Sequence, residues 1–221
     1  MPRGALLGEP ETLGLPPYER RAGEACLVLA RDPEAGDMVP AAMRWGLPVP
    51  SDPRRKLLAI RVDRLGTRRT ARRAHCLVPV EGYVQRGVRR SRIGVEVAGP
   101  ESLAIAALWE DAPGGPAFAI VTAEANEVLA AAHERMPALL PAALWPLWLE
   151  NRRLTPAEMA LVARPAAPAL LRARALRGRG PEAANASLTR QLADWMPGAR
   201  LWQPRPHRQP LVPEEVAHAL G

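Results

Sequence analysis

Six short runs of apolar and β-branched residues, separated by turn-forming residues, lie between residues 26 and 123. Runs of this length are typical of strands. The last three are joined by GPES and DAPGGP, two turn signals, so we predict that they form an antiparallel meander. The runs are CLVLA (26–30), LLAIRV (57–62), CLVPVEGYV (76–84), IGVEVAG (93–99), LAIAALWE (103–110) and FAIVTA (118–123).

Helical patterns begin after residue 123, in EANEVLAAAH (124–133), PAALWPLWLE (141–150) and TPAEMALVA (155–163). In the last of these, Thr155 and Glu158 have the spacing of a capping box, and Pro156 stands at the first helical position. A strand-rich middle followed by helices predicts an α+β fold. We expect one domain over residues 1–180. The extension over 181–221 holds one amphipathic candidate, SLTRQLADW, and a proline-rich tail.

Composition excludes several classes of protein. Hydrophobic residues make up 48% of the chain and no uncharged apolar run is long enough to cross a bilayer, so we expect no membrane partner. The first residues lack the apolar core of a secretory signal, which favours a cytoplasmic location. Cys26 and Cys76 lie in apolar runs without metal-site spacing. We therefore predict buried free thiols, with no metal and no cofactor.

Positive charge is concentrated between residues 54 and 92. This window holds twelve Arg and one Lys against two acids, Asp63 and Glu81, so it carries +11 while the whole chain carries +7. The remainder must therefore be −4. Clustered guanidinium groups gain contacts with phosphates and release counterions, which favours a nucleic-acid partner. The alternative is a solvated surface in a chain that uses Arg in preference to Lys.

Five sequence blocks together resemble the SOS response associated peptidase family, the abasic-site processing proteins. They are AAMRWGL (41–47), HCLVPVEGYV (75–84), AALWE (106–110), FAIVTAEANEVLAAAHERMP (118–137) and LWPLWLE (144–150). The resemblance covers roughly residues 1–180. It implies a single α+β domain built on a curved, mostly antiparallel, barrel-like sheet. It also implies binding of single-stranded DNA at abasic sites, in which an N-terminal cysteine condenses with the sugar aldehyde to form a thiazolidine crosslink.

The resemblance assigns roles to particular residues. In the HxRMP block, His133 would assist proton transfer at the sugar and Arg135 would meet DNA. Arg61 would contact phosphate, and Trp45 would act as a stacking wedge, although a core aromatic is the alternative for this residue. The resemblance also assigns DNA contacts to Thr122 and Asn126 in the TAEAN turn. A neutral imidazole is chemically suited to the role of His133.

The sequence departs from the family where the chemistry is expected. Family members begin Met-Cys-Gly-Arg, whereas this chain has Pro2 in place of the nucleophilic cysteine. Ala59 stands where an Asn is expected, and Asp63 replaces a Glu. Gln85 replaces the active-site carboxylate with an amide, which cannot exchange a proton near neutral pH. Glu81 would share a face with Gln85 on a regular strand, but we do not expect it to take over the role.

Two hypotheses of different class follow. The first is a non-catalytic family member, a pseudoenzyme that binds single-stranded DNA as a monomer in the nucleoid, alone or beside an active paralogue. The alternative is an abasic-site enzyme in which the Pro2 amine forms a reversible imine with the sugar, with lyase activity. General proteolysis is disfavoured, because no Ser or Cys can be combined with a His and an acid from the sequence.

Overall fold

The computed structural model describes residues 22–32, 34–86, 91–98 and 101–176. Pro2 and the predicted C-terminal extension, residues 181–221, lie outside the described residues. The strands and helices of the described part are β1 (Ala25–Arg31), β2 (Met38–Trp45), β3 (Leu47–Val49), β4 (Asp52–Leu57), β5 (Ala59–Arg61), β6 (Ala74–Val80), β7 (Gly82–Arg86), β8 (Arg92–Val97), β9 (Leu103–Glu110), β10 (Ala117–Glu124), α1 (Glu127–Ala130), β11 (Arg135–Pro137), β12 (Leu139–Pro141), α2 (Trp145–Leu149), α3 (Pro156–Ala163) and β13 (Leu171–Leu176).

The main sheet curves until it closes on itself. Its strand order is β11-β10-β2-β1-β6-β9-β12, and β10 also pairs with β9, so five strands form a ring. Within the ring only the pairing of β10 with β2 is parallel. β5 adds to β10 beyond the end of β2, also in the parallel sense. The predicted α+β fold with a curved, mostly antiparallel sheet is confirmed.

The first strand explains how this ring is filled. Leu27 and Leu29 point into one apolar cluster, which also contains Trp148, whereas Cys26 and Val28 point into another on the opposite face. Because both faces of β1 are covered, its sequence is a continuous apolar run rather than an alternating one. The two cysteines are buried free thiols, as predicted. Burial raises the pKa of the Cys76 thiol well above its ordinary value.

The predicted meander is only partly correct. β9 and β10 are antiparallel neighbours, but β8 pairs with β7 and β13 in a separate three-stranded sheet. The close approach of β7 to β8 depends on Gly82, because a β-carbon there would lie 2.5 Å from the Val95 carbonyl oxygen. A turn signal in the sequence shows that the chain reverses, but it does not specify which strand becomes the partner.

Two predicted elements are interrupted in the structure. The run 57–62 breaks at Leu58, whose carbonyl oxygen accepts hydrogen bonds from the Trp45 indole (3.0 Å) and from the Ile120 backbone N–H (3.1 Å). The predicted helix over 124–133 is reduced to α1, because the chain must return to pair Met136 with β10. Met136 is buried, and tertiary packing therefore overrides local helix propensity.

The segment after β12 covers one face of the ring with α2 and α3. The predicted capping box is confirmed: the Glu158 backbone N–H donates to the Thr155 hydroxyl (3.3 Å), and the Thr155 N–H donates to the Glu158 carboxylate (2.8 Å). The Arg152 guanidinium, helped by the Thr155 N–H, lowers the pKa of Glu158 to about 2. Among the described residues, no helix has the length and apolarity needed to cross a membrane.

Candidate functional site

The C-terminal end of β10 brings two predicted site residues together. Thr122 is paired with Arg61 of β5 on one edge of the strand and with Pro137 of β11 on the other. Arg135 opens β11, two residues before that pair. Two strands that are far apart in sequence therefore place an arginine on each side of the same threonine.

Arg135 is anchored directly to this threonine. Its Nη2 atom donates to the Thr122 carbonyl oxygen and lies 3.3 Å from the Thr122 hydroxyl. That hydroxyl lies 3.5 Å from the carbonyl oxygen of Ile60, at the limit of a hydrogen bond. The Arg135 Nε atom is buried and has no hydrogen-bond partner within the described residues. The guanidinium is therefore fixed in position through its Nη2 atom.

Arg61 is held by a neighbouring carboxylate. Its Nε and Nη2 atoms donate to the two oxygens of Asp63, at 3.0 and 2.9 Å, and both side chains are exposed. The Arg61 hydrogen bonds lower the pKa of Asp63, to which the charge of Arg135 also contributes. Asp63 in turn raises the pKa of Arg61, with smaller contributions from Glu134 and Glu124. Replacing the family's Glu by Asp63 thus preserves a carboxylate that orients Arg61.

The loop between α1 and β11 presents His133. Asn126 begins α1 by accepting from the Leu129 N–H (3.2 Å), and its amide nitrogen donates to the Ala166 carbonyl oxygen (2.9 Å). Asn126 is only 7% exposed, so its side chain shapes this loop from inside. The imidazole of His133 is exposed at the opposite end of the loop.

The backbone of Arg135 holds the imidazole of His133 in place. The Nδ1 atom lies 3.0 Å from both the N–H and the carbonyl oxygen of Arg135. The N–H donates to Nδ1 when this atom is unprotonated, and the carbonyl accepts when it carries a proton. Both protonation states of Nδ1 are therefore held in one place, which suits a group that transfers protons.

Gln85 contacts the same carbonyl oxygen as His133. Its Nε2 atom donates to the Arg135 carbonyl oxygen at 2.5 Å. A carboxylate at this position could accept hydrogen bonds but could not donate one to a carbonyl. The amide that replaces the family's acid therefore supports the backbone between His133 and β11. The Gln85 Oε1 atom and the hydroxyl of Tyr83, two residues earlier, are buried without a hydrogen-bond partner in the described part of the chain.

We expect Gln85→Met to lower the free energy of unfolding by about 1 kcal/mol, because methionine fills the same space without a donor for the Arg135 carbonyl. Urea unfolding at neutral pH measures this change. The matched control is Arg86→Met at the next, exposed position, which we expect to alter the free energy by less than about 0.5 kcal/mol. Equal losses in the two variants would contradict a supporting role for the amide.

Trp45, for which the sequence left a stacking wedge and a core aromatic as alternatives, lies partly in the core and partly at the surface. Its ring is half-buried against an apolar cluster that contains Phe118, and its indole nitrogen donates to Leu58. Leu58 leads directly into β5, so Trp45 lies on the same edge of the ring as Arg61. The part of the ring that remains accessible is therefore available for stacking, while the rest belongs to the core.

The basic window places its charge next to this site. Residues 62–73, here called the arginine loop, connect β5 to β6 and follow Arg61 directly in the chain. The loop exposes four arginines: Arg64, whose charge helps to lower the pKa of Asp63, and Arg68, Arg69 and Arg72. Arg73 differs, because its guanidinium pairs with Glu110 at 2.9 Å. The loop therefore extends the positive surface away from Thr122.

The other predicted catalytic positions offer little to a reaction. Ala59 is exposed at the start of β5 and has only a methyl group where an amide is expected. Glu81 lies in the break between β6 and β7, so regular strand alternation does not place it beside Gln85. No group of three metal-ligating side chains occurs within the described ranges. The sequence pattern did not anticipate the contact between Gln85 and Arg135, because only the fold brings β7 and β11 together.

The chain is similar to proteins of known fold. Residues 9–178 match the family model described as SOS response associated peptidase (SRAP). A solved protein structure from Bacteroides thetaiotaomicron has a TM-score of 0.56 and 20% sequence identity, with 70% of this chain and 75% of that chain covered. One from Bordetella bronchiseptica has a TM-score of 0.57 and 18% identity, covering 72% and 86%. A phage-related protein from the same organism has a TM-score of 0.55 and 16% identity, covering 72% and 81%.

At these identities the structural similarities show the fold alone. A comparison with curated proteins found no match. The family match, however, covers well over half of the chain and agrees with the five sequence blocks. The predicted family is therefore confirmed: this protein belongs to the SOS response associated peptidase family and shares that family's association with DNA damage.

Proposed function

We propose that this protein binds single-stranded DNA at abasic sites without forming the covalent crosslink of its family. The observation that carries the proposal is the convergence of Arg61 and Arg135 on Thr122 from two strands. Two anchored guanidinium groups can contact the phosphates on the two sides of one nucleotide. The half-buried ring of Trp45 would supply a stacking surface for a neighbouring base.

The arginine loop supports a nucleic-acid partner. Four of its guanidinium groups are exposed, and the loop leads away from Arg61 along one surface. DNA phosphates that bind to this surface would release their counterions, which favours association at low salt. Chromosomal DNA in the nucleoid is the corresponding location. We further propose that the domain ends near residue 180, since the family match ends at residue 178.

Loss of the crosslink follows from the thiol chemistry. A thiazolidine requires an amine and a thiol on one residue, and residue 2 is proline. Cys26 and Cys76 are buried within strands and their nitrogens are peptide nitrogens, so neither can replace a terminal cysteine. Gln85 holds a backbone carbonyl instead of exchanging protons. We propose that His133 keeps its position at the sugar, and that Asn126 contributes by shaping the loop rather than by touching DNA.

Titrating a single-stranded oligonucleotide that carries one abasic site at several salt concentrations tests this proposal. Binding through several phosphates should weaken linearly in log affinity against log salt, with a slope of about −0.7 for each contact. An intact oligonucleotide of the same sequence measures lesion preference. The proposal fails if neither oligonucleotide binds at low salt, or if affinity does not change with salt.

A further inference from the structure

A second concave site lies beside the arginine loop. A cleft of about 640 Å³ opens between this loop and the start of α3, within the range of volumes of small-molecule sites. None of the residues described around Thr122 lines the cleft. Its walls are the loop residues from Leu65 to Arg73 on one side and the segment from Asn151 to Met159 on the other.

The floor of the cleft is aromatic and preorganised. The rings of His75 and Trp148 are stacked, with centroids 4.2 Å apart and an angle of 14° between their planes. The Trp148 indole donates to the Cys76 carbonyl oxygen at 2.9 Å. The His75 backbone N–H donates to Asn151 Oδ1 at 2.5 Å. Apolar side chains, among them Leu108 and Met159, complete the lining. A flat group would therefore find preformed apolar walls there, with the His75 ring beside it.

The His75 ring also offers one hydrogen-bond acceptor. Its Nδ1 atom lies 2.7 Å from the Trp148 carbonyl oxygen, which can only accept, so Nδ1 carries the proton. The Nε2 atom is then an acceptor, and among the described residues the hydrogen bonds of the His75 ring involve only Nδ1. Burial lowers the pKa of His75, which keeps the ring neutral. A ligand in the cleft would therefore place a donor opposite Nε2.

Three arginines line the cleft, and Arg153 differs from the other two because it has no acidic partner among the described residues. Arg73 is neutralised by Glu110, and Arg152 pairs with both Glu150 and Glu158, at 2.5 and 2.6 Å. Arg153 has no hydrogen bond or ion pair from its guanidinium to any described residue. Its Nε atom lies 4.0 Å from the position that a β-carbon would take on Gly66, so the side chain reaches across the mouth toward the loop.

The loop that forms the opposite wall is fixed by its own threonines. The hydroxyls of Thr67 and Thr70 both donate to the Arg64 carbonyl oxygen, each at 2.9 Å. The Arg73 N–H donates to the Thr70 carbonyl oxygen at 3.0 Å, and Thr70 is buried. These hydrogen bonds define the conformation of the loop backbone that forms this wall.

We propose that this cleft binds a nucleotide unit. The edge of the base would donate a hydrogen bond to His75 Nε2 in the plane of that ring, its faces would pack against the apolar side chains of the lining, and the phosphate would bind Arg153 at the mouth. A free nucleotide and the terminal nucleotide of a DNA strand both carry the base and the phosphate that this site would bind. The inference does not depend on the proposed function, because it concerns different residues and an undamaged nucleotide.

Calorimetric titration of the full chain with deoxyadenosine monophosphate tests the cleft directly, because the adenine amino group supplies the donor. We expect this nucleotide to bind at least about tenfold more tightly than either deoxyadenosine or inorganic phosphate. Arg153→Gln should weaken nucleotide binding by about tenfold and leave deoxyadenosine unaffected. The matched control is Arg172→Gln, an exposed arginine on β13, which should change neither.

His75→Phe separates base recognition from charge. The variant keeps an aromatic ring on Trp148 but removes the hydrogen-bond acceptor. Nucleotide binding should therefore weaken, while phosphate binding stays the same. A thermal unfolding curve verifies that the variant is folded. Competition by a 5′-phosphorylated oligonucleotide assigns the strand terminus, and lack of competition assigns a free nucleotide. Nucleotide binding no tighter than phosphate binding, or equal effects of Arg153→Gln and Arg172→Gln, would overturn the proposal.

Discussion

Replacing Arg61 and Arg135 together by alanine is expected to lower the affinity for a single-stranded oligonucleotide by about a hundredfold, because hydrogen bonds to charged groups contribute about 1.5–3 kcal/mol each. Both guanidinium groups are held in place, that of Arg61 by Asp63 and that of Arg135 by Thr122. Fluorescence anisotropy at low salt measures the loss. The slope of log affinity against log salt should also become less steep by about 1.4, for two lost phosphate contacts.

Two controls separate this effect from general loss of charge and from unfolding. Arg172→Ala together with Arg174→Ala removes the same charge from β13, in the three-stranded sheet, and should reduce affinity much less. Thermal unfolding of Arg135→Ala shows whether the lost bonds to Thr122 disturb the fold. Equal loss of binding in both double variants would mean that charge alone, and not the convergence at Thr122, determines binding.

Trp148→Ala is expected to lower the free energy of unfolding by about 3–5 kcal/mol, the range found for large aromatic residues removed from a core. Trp148 is fully buried, and its ring packs against the main apolar cluster. Alanine would leave a cavity beneath α2 and remove the donor to the Cys76 carbonyl oxygen. Guanidinium chloride unfolding measures the change.

Leu161→Ala is the control for Trp148→Ala. Leu161 is a large apolar side chain on α3 that is 45% exposed, so its truncation should cost less than about 0.5 kcal/mol. Trp148→Phe should lie between the two, since it keeps a ring on His75 but loses the indole donor. A loss below about 1 kcal/mol for Trp148→Ala would contradict the packing described for α2.

Local sequence signals predicted those elements in which the local preference of the residues matches their environment in the fold. CLVLA forms β1 because both of its faces are buried, and Thr155 with Glu158 caps α3 as its spacing requires. The α+β class and the family followed from such blocks. The segment after Asn126 forms a shorter helix than its pattern predicts, because β11 must return to pair with β10. The helical pattern carries no information about this pairing.

The sequence provided candidate residues for the site but not their arrangement. The HxRMP block indicated His133 and Arg135, and the charge map indicated the arginine loop. Nothing in the sequence indicated that Gln85 would reach the Arg135 carbonyl, since the two residues are 50 positions apart. The cleft over His75 was also not foreseen, because only the fold brings its two walls, the arginine loop and the segment that leads into α3, together over β6 and α2.

The most direct test of the central claim is to incubate the protein, its N-terminus verified by mass spectrometry, with a single-stranded oligonucleotide that carries one abasic site, with and without borohydride. A Pro2→Cys variant serves as the comparison for thiol chemistry. We expect salt-sensitive binding and no covalent adduct from the parent protein under either condition. A stable adduct without borohydride, or a borohydride-dependent adduct that maps to Pro2, would contradict it.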